Sequence, residues 1–143
     1  MALLGYLAAV RRAVARKTLV TLFWPDESVD TGQANLRREL HNLGQILPGC
    51  WQIDSTVVQF IPDADTQVDI DTLSRLSRDE QWSAAAGWVG GEFLEGVSLA
   101  DNPDFEAWLL GEQENRRQTA EQVLLQAALG EMRRGNDAEA RRF

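Results

Sequence analysis

Residues 31–49, TGQANLRRELHNLGQILPG, are the stretch of sequence that predicts most about the fold. Its leucines recur so that, at about 100° per residue, all of them fall within about 40° of one direction on a helix. They are Leu36, Leu40, Leu43 and Leu47. Thr31 is a suitable N-cap, and Pro48 is a residue that ends helices. The pattern predicts an amphipathic helix over residues 32–47 whose leucine face lies in a core.

The opposite face of this helix is polar and basic. It carries Arg38, His41, Asn42 and Gln45, with Arg37 and Asn35 on its flanks. Arginine binds the O6 and N7 atoms of guanine in bidentate fashion, and asparagine or glutamine binds adenine in the same way. These residue types therefore predict a DNA-reading helix. A merely solvated polar face is the alternative, since amphipathic helices with such residues outside are common.

The elements around this helix follow the order of a winged helix-turn-helix module. Two short helices precede it, one formed by the apolar positions of residues 3–10 and one over residues 15–24, which ends at Pro25. A β-hairpin is predicted after it, with β-rich stretches on both sides of a turn at Asp54 and Ser55. Helix, polar turn, basic helix and hairpin in this order favour DNA binding.

Basic side chains near the second helix supply candidate phosphate contacts. They are Arg11, Arg12, Arg16 and Lys17. The whole chain has a net charge of -8, which by itself argues against a polyanionic partner. Residues 1–61, however, hold six Lys and Arg against five Asp and Glu, so the acidic excess lies entirely in the rest of the chain. This asymmetry predicts two parts with different partners.

The second part is predicted to be all helical and to begin after an acidic, turn-rich segment. The division falls near Val68, giving a first domain of residues 1–67 and a second of residues 68–143. Helices are predicted over residues 72–76 and 80–89, and a long helix starts where Asn102 can cap and Pro103 occupies the first turn. It is expected to reach residue 134 and to be followed by a further helix that the chain contains only in part.

No arrangement of residues suggests catalysis, a metal or a cofactor. His41 is the only histidine and Cys50 the only cysteine, so neither a zinc site nor a nucleophile motif is expected. The longest apolar run, residues 1–10, is about half of what a helix needs to cross a bilayer. No positive charge precedes this run as it would in a signal peptide. We therefore expect a cytoplasmic protein that is not an enzyme and has no membrane partner.

Several segments resemble a known family. The first part is similar to the winged-helix region of bacterial regulators of the antibiotic regulatory protein (SARP) type, and the second to the bacterial transcriptional activator domain (BTAD) that follows it. The matching segments are LLGYLA (3–8), LFWPD (22–26), ANLRREL (34–40), IPDAD (61–65), VDID (68–71), GEFLEG (91–96) and DFEAWL (104–109). Together they extend over nearly the whole chain.

The resemblance implies a mainly α protein, with an OmpR/PhoB-type winged helix-turn-helix and a small hairpin wing, followed by an all-α tetratricopeptide-like domain. It implies a transcriptional regulator that binds double-stranded DNA through its third helix and contacts RNA polymerase or another protein through the helical domain, with an oligomer possible. The family's leading β-sheet is missing from this chain. The site residues expected to contact DNA are Asn35, Arg37, Arg38, His41, Asn42, Gln45, Arg16 and Lys17.

A second hypothesis comes from a different functional class. The acidic overall charge and the missing leading sheet also fit a tetratricopeptide-like protein-interaction module that has lost DNA binding. Salt-dependent DNA affinity distinguishes the two hypotheses.

Overall fold

The computed structural model describes residues 1–99 and 101–143, and 60% of the chain is helical. Within these residues the elements are α1 (Ala2–Val10), β1 (Val14–Ala15), α2 (Arg16–Phe23), α3 (Val29–Ile46), β2 (Trp51–Ile53), β3 (Val57–Phe60), α4 (Asp69–Arg78), α5 (Trp82–Ala86), α6 (Pro103–Arg133) and α7 (Asp137–Ala140). The expectation of a mainly α protein is confirmed, with one small antiparallel sheet of three strands.

The chain forms two compact units, and each is built from two separate segments. The first comprises Met1–Thr66 and Gly96–Leu109, and the second comprises Gln67–Glu95 and Leu110–Phe143. The predicted boundary after residue 67 lies one residue from the first break. The segment Gly96–Leu109 was predicted to lie in the second domain, but it belongs to the first unit, where Phe105 is fully buried.

The sheet lies in the first unit and has the order β1-β3-β2. Strands β2 and β3 form the predicted hairpin, with Trp51 opposite Phe60. Strand β1 pairs with β3 through Val14 opposite Val58, and it was not predicted. Two residues are too few for the apolar–polar alternation by which a strand is recognised in a sequence.

Two predicted helix starts were wrong. Ala15 belongs to β1, and α2 begins at Arg16, whose amide donates to the carbonyl oxygen of Thr56 at 2.8 Å. Helix α3 is capped by Ser28 and not by Thr31: the Ser28 hydroxyl accepts from the Thr31 amide at 3.2 Å. Ser28 has the extended backbone that an N-cap needs, and Thr31 already lies inside the first turn.

Helices α2 and α3 pack closely at Gly32. A β-carbon added to Gly32 would lie 2.6 Å from Cγ1 of Val20, a buried side chain. Gly44, on the same helix, has no atom within 4 Å of the corresponding position.

We expect Gly32→Ala to lower the free energy of unfolding by about 1–2 kcal/mol. Overpacking costs about 1–3 kcal/mol, which outweighs the gain of up to about 1 kcal/mol that alanine brings to a helix, and β-branched Val20 has little freedom to rotate away. Gly44→Ala is the matched control and should stabilise the protein by about 0.5–1 kcal/mol. Urea unfolding measures both, and a stabilising Gly32→Ala would contradict the close approach.

The second unit is helical throughout the residues described. Its core consists of Leu76, Ala85, Ala86, Val123 and Ala127. The predicted helix over 72–76 extends over Asp69–Arg78, whereas the helix predicted over 80–89 is shortened to Trp82–Ala86. Glu80 has a positive φ of 55°, which a helix excludes, so it separates α4 from α5.

Helix α6 begins as predicted and is longer than any other described helix. Asn102 Oδ1 accepts from the Phe105 amide at 3.0 Å, and Pro103 is the first helical residue. Residues 111–119 of this helix are polar, and ion pairs form along them, such as Glu112–Arg116 at 3.1 Å and Glu114–Arg117. The helix continues unbroken to Arg133.

Candidate nucleic-acid interface

Helix α3 presents one apolar face to the core of the first unit and one polar face to solvent. Leu36 is fully buried, and Leu40 and Leu43 are each 5% exposed. The predicted leucine face therefore holds the helix in place, although Leu47 caps its C-terminus and is only half-buried. Because 3.6 residues complete a turn, the residues opposite these leucines point outward.

The outward face contains most of the predicted base-contacting residues. Arg38, His41, Asn42 and Gln45 are exposed, and they are spaced at i, i+3, i+4 and i+7. At 1.5 Å per residue the stripe is about 10 Å long, a length that matches roughly three base-pair steps of a duplex. In the described part of the chain, no hydrogen bond engages the side chains of His41, Asn42 or Gln45. These three side chains are available to a ligand.

The two flanking residues differ in their surroundings. Arg37 is exposed, and its Nε donates to the backbone oxygen of Gln33 at 3.3 Å. Asn35 is half-buried, and its Oδ1 accepts from Nη2 of Arg38 at 3.0 Å. Asn35 therefore touches a candidate contact residue and is less accessible to DNA than Arg38.

Two of the four basic residues near α2, Arg11 and Arg16, contact the hairpin. Arg16 is half-buried, and its Nη1 donates to the carbonyl oxygen of Asp54 at 3.4 Å. Lys17 and Arg12 are exposed. The guanidinium of Arg11 lies over the ring of Phe60, 5.2 Å from its centroid. The structure thus places Arg16 beside the hairpin turn and leaves Lys17 in solvent.

The hairpin turn is organised by Asp54. Its Oδ1 accepts from the amide of Thr56 at 2.6 Å, from the amide of Val57 at 2.8 Å and from the Thr56 hydroxyl at 2.8 Å. These bonds, the backbone bond from Thr56 first, hold the pKa of Asp54 below its ordinary value, with a smaller contribution from the charge of Arg16. One carboxylate oxygen is therefore used inside the turn.

We expect Asp54 to give the hairpin a pH dependence at acid pH. Because its pKa is lower in the folded chain, its stabilising effect is complete above the ordinary aspartate pKa of about 3.9 and is lost as the pH falls through the lowered value. The protection factors of the Thr56 and Val57 amides, which compare their exchange with that of an unfolded chain at the same pH, should fall over that range. Asp54→Asn keeps the acceptor oxygen without the titration, so these two amides should not lose protection in this variant as the pH falls. A carboxyl that titrates at or above about 3.9 in a carbon-detected titration would contradict the assignment.

One polar cluster in the second unit was not predicted. Glu131 is 6% exposed and accepts from the Ser83 hydroxyl at 2.9 Å, from the Asn136 amide at 2.8 Å and from Arg134. The bonds from Asn136, then Ser83, and the charge of Arg134 lower the pKa of Glu131 against the opposing effect of burial. The sequence indicates this cluster only through the position of Glu131, four residues after Ala127. This spacing places an acid on the apolar side of α6.

A groove of about 300 Å³ lies beside this cluster, lined by residues such as Trp82, Ser83, Gln126 and Arg134. Among residues 1–99 and 101–143, no three His, Cys, Asp or Glu side chains come together in a way that would hold a metal ion. No helix in that part of the chain is both long and apolar enough to cross a membrane.

The outward face of α3, with Arg16 and Lys17 of α2 in the same unit, is therefore the candidate interface of this chain. No protein-family model matches the chain, and no curated protein sequence matches it either.

Proposed function

We propose that this chain is a DNA-binding transcriptional regulator of the SARP type, in which α3 lies in the major groove. The observation that carries the proposal is the outward face of α3. Four exposed side chains there, Arg38, His41, Asn42 and Gln45, include the types that bind guanine and adenine edges, on a helix fixed by buried leucines. No reaction, metal or cofactor forms part of this function.

The arrangement of elements in the first unit supports the same proposal. Helix α2 packs against α3, and the hairpin β2–β3 follows α3 directly. In a winged helix-turn-helix protein this order sets the second helix of the pair in the major groove and lets the hairpin approach the backbone. The charge asymmetry predicted from the sequence does not carry over to the two units. The first, with Gly96–Leu109, holds six Lys and Arg against ten Asp and Glu, and the second holds eight against twelve, so each has a net charge of -4.

In this proposal the second unit is tetratricopeptide-like and binds RNA polymerase or another protein. Its described surface includes apolar side chains on α6, with Leu125 57% exposed and Met132 58% exposed. The cytoplasm, where bacterial promoters are, is the proposed location.

A salt series tests DNA binding by the unmodified chain. With about three phosphates neutralised by residues such as Arg16, Lys17 and Arg37, the logarithm of the binding constant should fall with the logarithm of salt at a slope near -3. Fluorescence anisotropy on pooled bacterial promoter duplexes, from low to physiological salt, measures this slope. Absence of binding at the lowest salt would overturn the proposal.

The second candidate function is a protein-interaction module without DNA binding. The exposed Leu125 and Met132 on α6 favour it, because large apolar side chains on a surface mark contact sites when they form a patch. Under this hypothesis the salt series shows no DNA binding, and substitution of Arg38 leaves the capture of the partner protein unchanged. A change on the exposed α6 face, such as Leu125→Ser, would instead abolish partner capture.

A further inference from the structure

We infer that Asn35 and Arg38 act together as a guanine-reading pair, in which Asn35 is a positioning residue and Arg38 makes the contact. This inference rests on the proposed function and specifies one base that the interface selects. Its structural basis is the hydrogen bond between Arg38 Nη2 and Asn35 Oδ1, which is 3.0 Å long and spans one helical turn.

This hydrogen bond leaves enough N–H donors on Arg38 for a bidentate contact with a base. A guanidinium has five N–H donors, and a bidentate contact with guanine O6 and N7 uses two of them. Asn35 takes one donor of Nη2, so four remain. Arg38 is exposed whereas Asn35 is half-buried. Arg38 is therefore accessible to DNA, while the Asn35 amide that holds it lies closer to the helix.

The same bond restricts the arginine before DNA arrives. A free arginine side chain samples many rotamers, and binding to a base must select one of them. An arginine already held by a neighbouring amide loses less conformational freedom on binding. This smaller loss of entropy favours most the base that fits the guanidinium in the position where Asn35 holds it. Asn35 should therefore raise the discrimination between bases more than it raises the affinity for arbitrary DNA.

Arg37 offers a contrast within the same helix. It neighbours Arg38 in sequence, is also exposed, and its Nε donates to the backbone oxygen of Gln33. It lies about 100° away around the helix, on the flank of the outward face. We therefore assign Arg37 to the DNA backbone, where its loss weakens binding to all sequences alike and reduces the salt slope by about one.

The experiment starts with selection of bound duplexes from a randomised library by the whole chain. The preferred duplex is then compared with the three duplexes that carry another base at each guanine of the selected site. For the unmodified chain, one guanine should show a preference of about tenfold or more over the other bases. Arg38→Ala should remove that preference, and Asn35→Ala should reduce it severalfold while leaving affinity for non-selected DNA within about twofold.

Two further variants separate positioning from other effects. Asn35→Asp keeps an oxygen acceptor for Arg38 but adds a negative charge, so overall affinity should fall while the guanine preference persists. Arg37→Ala should lower affinity for all duplexes equally. Circular dichroism of each variant checks that the helical content of the chain is unchanged.

The outcomes distinguish this inference from the proposed function. If the unmodified chain selects no sequence and binds no duplex, both are overturned. If it binds and selects but Asn35→Ala keeps the full guanine preference, or Arg38→Ala weakens all duplexes alike, the guanine-reading pair is wrong. In that second case the DNA-binding proposal stands.

Discussion

Phe105→Ala is expected to lower the free energy of unfolding of the first unit by about 3–5 kcal/mol, the usual cost of replacing a buried phenylalanine by alanine. Phe105 is completely buried, and its ring lies 5.4 Å from that of Phe23 and 5.5 Å from that of Trp108. Removal of the ring leaves a cavity among aromatic neighbours that collapse poorly. Aromatic pairs also contribute about 0.5–1.5 kcal/mol beyond the area that they bury.

The measurement is native-state hydrogen exchange of the α3 amides, because these report on the first unit. Leu110→Ala is the matched control: this leucine lies on the same helix but is 65% exposed, so the change should stay within about 0.5 kcal/mol. A loss below about 1 kcal/mol for Phe105→Ala would mean that the core of the first unit does not depend on Gly96–Leu109.

The double variant Arg38→Ala/Asn42→Ala is expected to show the largest effect on DNA binding. Each bidentate contact with a base discriminates by about 1–3 kcal/mol, so the loss of both should weaken binding to a preferred site at least about 30-fold. Both side chains are exposed on α3, and neither contributes to the leucine face. The fold should therefore be unchanged.

Arg78→Ala/Asn115→Ala is the control for this variant. It removes the same two residue types from exposed positions in the second unit and changes the net charge equally. Anisotropy on a preferred duplex and on an unrelated duplex should show loss of preference only for the α3 variant. Equal weakening by both double variants would show that net charge, and not α3, determines binding.

Local patterns were sufficient to predict α3 and the hairpin. The leucine spacing that starts at Leu36 identifies a buried helix face directly, and the β-rich residues on both sides of Asp54 predict paired strands. Asn102 was likewise predicted correctly as a cap, because cap, proline and apolar stripe are all local signals. These features depend on residues that are close together in the chain.

The features that were missed depend on distant residues. Strand β1 exists because Val14 meets Val58, and no feature of residues 14 and 15 alone indicates it. The placement of Gly96–Leu109 depends on aromatic contacts such as that between Phe105 and Phe23. In the candidate interface, exposure of the polar face followed from the helix period, but the bond between Asn35 and Arg38 depends on rotamers that a sequence does not specify.

The discontinuous first unit also affects the order in which the new chain folds during its synthesis. A ribosome adds about 5–20 residues per second, so the 43 residues from Gln67 to Leu109 take roughly 2–9 s to appear. Until Phe105 is added near the end of that interval, Phe23 lacks the ring that packs against it in the finished unit. The nascent chain therefore exposes an aromatic surface for seconds, which makes this period the one in which a chaperone would matter most.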